Sequence, residues 1–169
     1  LKTSRLIATF VLAVAVFLLP FAGNAASDDS KINVNVDCHC PDPVGQKFCG
    51  GFKDAVQASP GYSLSDNTKG YGMGVHFSCV DLWQGINQQL AGHMSLVSVA
   101  FTIYSDALPG EVYEDSSVFR VGEDAIPEMS RKILAALGQL VSVNGSFFDR
   151  MRAAAKASPK AQTTPSAAP

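Results

Sequence analysis

Ile32-Asn33-Val34-Asn35-Val36-Asp37-Cys38 alternates apolar and polar residues without a break, and this stretch decides how the rest of the chain is read. A period of two sends Ile32, Val34, Val36 and Cys38 to one side of an extended strand and the Asn and Asp side chains to the other. One side suits a core and the other suits water. Pro41 and Pro43 close the strand, and Phe48, Phe52, Ala55 and Val56 then recur at helical spacing until Ser59-Pro60-Gly61 stops the run. Gly50 and Gly51 lower the intrinsic helix propensity of that segment without breaking its pattern.

Further along, Tyr62-Ser63-Leu64-Ser65-Asp66 reads as a short strand, and Asp66-Asn67-Thr68-Lys69-Gly70 as a turn. Val75-His76-Phe77-Ser78-Cys79 alternates again, burying Val75, Phe77 and Cys79 and turning His76 and Ser78 outward. Trp83 to Gly92 is polar and reads as a loop, with Trp83, Ile86 and Leu90 at a spacing that also allows a short helix. Ser95 to Tyr104 forms a long strand with Val97, Val99, Phe101 and Ile103 on one face, and Val118-Phe119-Arg120-Val121 is the last strand. After Gly122 the period becomes helical, with Ile126, Met129, Ile133, Leu137 and Leu140 on one stripe. Asp124 is the expected N-cap, and Pro127 falls in the first turn, where its missing amide hydrogen costs little.

Strand, helix, four strands, helix describes an α+β domain: a mixed, mostly antiparallel sheet of about five strands with two helices packed on one face. Strands covered on both faces would show continuous apolar runs, and these alternate. The expected organisation is a signal peptide over residues 1–25, a single α+β domain over 26–149, and a disordered basic Ala/Pro-rich tail over 150–169.

The signal peptide rests on Lys2 and Arg5, an apolar run from Leu6 to Leu19, Pro20, and the small-residue stretch Ala22-Gly23-Asn24-Ala25-Ala26. The apolar run falls short of the ~20 residues of a membrane-spanning helix, so no stable span follows signal cleavage. This directs the protein to a secreted or periplasmic location. Residues 26–149 carry seven Lys/Arg against fifteen Asp/Glu, a net of −8, while the tail holds Arg150, Arg152, Lys156 and Lys160 without an acid. An acidic body lacks the clustered basic face that nucleic acid requires.

Cys38, Cys40, Cys49 and Cys79 are even in number, which in an oxidising compartment favours two disulfides. Cys38 and Cys79 share the apolar face of alternating strands, so the favoured pairing is Cys38 with Cys79 and Cys40 with Cys49, from three that are possible. The alternative use of the same residues is a zinc or copper site made of Cys38, His39, Cys40 and Cys49. The Cys-x-Cys spacing at a strand end suits a metal poorly, and no Cys-x-x-Cys redox pair is present.

Other motifs carry little chemistry. Gly70-Tyr71-Gly72-Met73-Gly74 lacks the lysine of a P-loop and leads into a strand, so it reads as a flexible hairpin approach. A hydrolase would need His76 to work with Asp81 and a serine, and Ser78 has no Gly-x-Ser-x-Gly setting. Glu111, Glu114 and Asp115 read as an acidic, solvated turn. Asn144-Gly145-Ser146 matches a glycosylation sequon, a pattern of low specificity. No catalytic residues and no cofactor are assigned.

The order of elements over about residues 31–141 resembles the amino-terminal α/β domain of TolB and related periplasmic modules. Phe52-Lys53-Asp54-Ala55-Val56 leading to Tyr62-Ser63-Leu64, and Val121-Gly122 leading into the last helix, carry that resemblance. It implies a non-enzymatic module that contacts a protein or cell-envelope partner.

Overall fold

The computed structural model describes residues 31–157. The signal segment and residues 158–169 of the tail lie outside them. The elements are β1 (Ile32–His39), α1 (Pro43–Ala58), β2 (Tyr62–Ser65), β3 (Tyr71–Asp81), β4 (Met94–Ser105), β5 (Val112–Gly122), α2 (Ile126–Val143) and α3 (Gly145–Ala157). The five strands form one sheet in the order β2-β1-β3-β4-β5. The α+β class and the mixed, mostly antiparallel five-stranded sheet are as expected: β1 runs parallel to β2 and β3 over shorter ladders, while the longer β3–β4 and β4–β5 ladders are antiparallel.

Alternation in the sequence becomes burial in the fold. Val34 of β1, Met73 and Val75 of β3, and Val97 and Val99 of β4 are fully buried on one side of the sheet. α1 lies across that side with Val44, Phe48, Cys49, Phe52 and Val56 inward. Phe48 and Phe52 meet Phe77 edge to face at centroid separations of 5.2 and 5.1 Å, an arrangement favoured by the ring quadrupoles. α2 adds Ile133 and Leu137 to the same core.

Asp42 explains how α1 can begin directly after the prolines. Its Oδ1 accepts a hydrogen bond from the Gly45 amide at 2.8 Å, which caps the helix, and its Oδ2 accepts one from the buried Ser95 hydroxyl at 3.1 Å. Pro43 occupies the first turn, where its missing N–H is harmless. Gly45 has no alternative here, since a Cβ would lie 2.6 Å from both Asp42 Oδ2 and Cys79 Cβ.

Five expectations need correction. The glycine-rich segment from Tyr71 is the start of β3, and β5 begins at Val112, so Glu114 and Asp115 stand in a strand instead of a turn. Asp124 does not cap α2: a single 3₁₀ turn over Glu123–Ala125 intervenes, with Glu123 paired to Lys47 of α1. A third helix, α3, carries the chain through the expected boundary at residue 149. Phe148 anchors it, 2% exposed in the core and packed against Tyr71. The Arg and Ala residues after it are good helix formers, so composition alone did not separate helix from tail.

The fifth correction is the disulfide pairing: the bonds are Cys38–Cys49 and Cys40–Cys79. Cys38 and Cys40 have the same parity, so facing direction cannot tell them apart. Register can. Cys38 is opposite Phe77 and His39 opposite Ser78, which brings the next residue, Cys40, level with Cys79. Cys38 is left beneath α1, within a Cα separation of 6.4 Å of Cys49.

Candidate functional site

The three helices gather on one side of the sheet, since α1, α2 and Phe148 of α3 all join the single core cluster. The opposite side carries no helix among the described residues. Its rows follow from the register: Asn35, Gly74, Thr102 and Tyr113 form one, Asp37, His76, Ala100 and Ser116 the next, then His39, Ser78, Ser98 and Val118. Apart from Tyr113 and Val118 on β5, these are small or polar residues, as a solvated face requires.

One cluster of titratable groups stands on this face. His76 is on β3, its in-register neighbour Asp37 is on β1, and Thr102 is on β4. Glu111, just after Leu108-Pro109-Gly110 and before β5, reaches in from the side. His76 Nε2 lies 2.7 Å from Glu111 Oε2 and 3.1 Å from Thr102 Oγ1, and the Thr102 hydroxyl donates to the same carboxylate oxygen at 2.6 Å. Gly74 keeps the space open, because a Cβ there would lie 2.8 Å from His76 Nε2 and 3.0 Å from Glu111 Oε2. On the other edge of the ring, His76 Nδ1 is 3.7 Å from Asp37 Oδ2, which is also 3.4 Å from His39 Nδ1. A hollow of about 500 Å³ opens beside them, bordered by Asn35, Ser65, Asp66 and Lys53.

Hydrogen-bond direction limits the chemistry available to this cluster. A carboxylate accepts from both His76 Nε2 and the Thr102 hydroxyl, so the imidazole serves as a donor at that nitrogen. It does not take the threonine proton, as the base of a nucleophilic pair would. Asp37 and Glu111 sit on opposite edges of the imidazole and do not converge on one point. Among the described residues no group of three or more His, Cys, Asp or Glu is placed to hold a metal ion.

Tyr104 lies two residues from Thr102, with its hydroxyl over Gly72, where a Cβ would meet it. The side chain is 2% exposed, and the hydroxyl has no hydrogen-bond partner among the described residues. Burial pushes the phenol up to about 12, with the nearby Ser65 hydroxyl working against the shift and the Glu111 charge adding to it.

Other residues singled out in the sequence are placed apart from this cluster. Asp81 is at the far end of β3, where its carboxylate accepts from the amides of Trp83 at 2.9 Å and Gly92 at 2.7 Å and closes the loop between β3 and β4. The arrangement of His76, Asp81 and Ser78 as a hydrolytic triad is therefore not formed. Cys38, Cys40, Cys49 and Cys79 all carry disulfides, so the Cys38-His39-Cys40-Cys49 metal site is not formed either. Glu114 accepts from Asn144 Nδ2 at 3.0 Å, and Asn144 caps the end of α2. Asp37, Thr102 and Tyr104 were not legible as site residues. Parity turns Asp37 and Thr102 outward, but only the strand register makes them neighbours of His76.

No helix among the described residues is long and apolar enough to cross a membrane. No protein-family model and no curated protein matches this chain.

Proposed function

We propose that this protein is an exported, non-catalytic module that binds a protein or wall partner of the cell envelope on the uncovered face of its sheet. The observation that carries the reading is the one-sided fold: among the described residues every helix packs on one face, while the other presents small polar residues around the His76 cluster. A face of Ser, Asn, Gly and Ala with a few fixed hydrogen-bonding groups can receive an extended partner closely without large desolvation. Two disulfides fit a domain that works in an oxidising compartment, and the charged start and apolar run of the first 25 residues support export. The resemblance to the TolB amino-terminal domain supports the same reading.

The test is cosedimentation of the oxidised protein with isolated cell-wall sacculi and, separately, with envelope membranes. Ser98→Arg, in the middle of the uncovered face, is compared with Gln139→Arg on the exposed side of α2. Binding to one fraction that falls about tenfold for Ser98→Arg alone is the expected result for a lost interface contact. Failure to bind either fraction, or equal binding by both variants, would refute the reading. Mass analysis of the exported protein should also show residues 1–25 removed and no reactive thiol.

A further inference from the structure

β5 ends the sheet, and its outer edge has no backbone hydrogen-bond partner among the described residues. The other edge strand, β2, is only 4 residues long, whereas β5 has 11. Natural edges of that length are usually blunted by proline, charged side chains, a bulge or a covering element. β5 contains no proline, its charges Glu114, Asp115 and Arg120 leave residues 116–119 uncharged between them, and Val118 is 65% and Tyr113 62% exposed. Its one irregularity is a bulge, where Phe101 pairs with Asp115 and Thr102 with Tyr113, leaving Glu114 unmatched.

From these features we infer that β5 pairs with β5 of a second copy of this chain, antiparallel, to make a continuous ten-stranded sheet. The bulge at Glu114 and the 3₁₀ turn at Glu123 confine regular pairing to Asp115–Gly122. A twofold axis perpendicular to the sheet keeps the uncovered faces of both copies on the same side, and it must pass through a residue opposite itself. Val118 and Phe119 lie nearest the middle of that stretch, and Val118 is the more exposed of the two. With the axis there, the two exposed Val118 side chains cover one another, Ser116 faces Arg120, and Asp115 faces Val121.

Charge favours this direction over the parallel one. Arg120 makes no ion pair among the described residues; in the antiparallel register it lies opposite Ser116 of the second copy on the uncovered face, while Asp115, level with Phe101 on the helix-covered face, lies opposite Val121, so no like charges face one another. A parallel register would set Asp115 against Asp115 and Arg120 against Arg120. This inference concerns the sheet edge and does not depend on what binds the uncovered face.

Sedimentation equilibrium of the full exported chain with both disulfides intact tests it, over about 5 to 500 μM. The expected result is a reversible monomer–dimer equilibrium whose association constant falls at least about tenfold in Val118→Lys, where two ammonium groups would meet on the axis. Gln139→Lys, an equal charge change on α2, should leave it unaltered. If near-ultraviolet circular dichroism shows that Val118→Lys does not fold, Val118→Ser should still weaken the dimer. Slowing of β5 amide exchange with rising concentration is the second expected signature. A monomer throughout that range, a dimer indifferent to Val118, or β5 protection independent of concentration would each overturn the inference, the last by showing that the same chain already covers the edge.

Discussion

Tyr104 shows how much a single buried hydroxyl can decide. Its ring fills the space that Gly72 leaves, while its Oη is enclosed without a hydrogen-bond partner among the described residues. Burial of that kind raises the phenol to about 12 from an ordinary 10.0, so the folded state holds the proton more tightly than the unfolded chain. The resulting stability is fully present below pH 10 and is lost as pH rises through the folded-state value near 12. Two units correspond to roughly 2 to 3 kcal/mol. Tyr104→Phe should therefore abolish most of the loss of stability between these limits, and it should raise stability at neutral pH by about 1 kcal/mol, since an unpartnered buried hydroxyl is removed. Urea unfolding at pH 7 and across the alkaline range, with phenolate absorbance followed in parallel, measures both effects. Tyr62 is also raised by burial, so a late phenolate step that persists in Tyr104→Phe belongs to it. A variant less stable than the parent at pH 7 would mean that the hydroxyl has a partner after all.

At the level of elements, the two disulfides tie the same strand end in two directions. Cys38–Cys49 fastens β1 to the helix above it, across 11 residues, and Cys40–Cys79 fastens β1 to its neighbour β3, across 39. Closing the longer loop removes more freedom from the unfolded chain, so replacing both Cys40 and Cys79 by Ser should cost about 1 kcal/mol more than replacing Cys38 and Cys49. Chemical denaturation of the two double variants gives the comparison, and equal losses would contradict it. The ordering differs from what strand parity suggests. Alternation correctly placed the apolar sides of β1, β3 and β4, and spacing correctly located α1 and the stripe of α2. The slide of one strand past another is invisible to either, and that slide determines which cysteine meets Cys79. α3 was missed for a related reason, because Phe148 and Met151 signal a helix only once Tyr71 and Ser105 are known to lie where they dock.

Considered as a whole, the molecule has one core and a sheet covered on one side. Its central strands β3 and β4 are paired on both edges over most of their length, whereas β1 is paired on both edges only where the four-residue ladder of β2 reaches it. Amide exchange should follow that layout, with β3 and β4 slowest and with β2 and the loop at residues 82–93 opening at least about a hundredfold faster. Uniform protection across the sheet would show that the domain opens only as a single unit. The amino-acid sequence by itself determined the α+β class, the positions of five strands and two helices, and the availability of four cysteines for bonding. These follow from period and local composition, which act over a few residues. Only the tertiary structure decided the disulfide pairing, the third helix, the strand order and register, and the meeting of His76 with Asp37, Thr102 and Glu111. Each depends on how distant segments register when the helices close over one face of the sheet, and no short stretch of the chain carries that information.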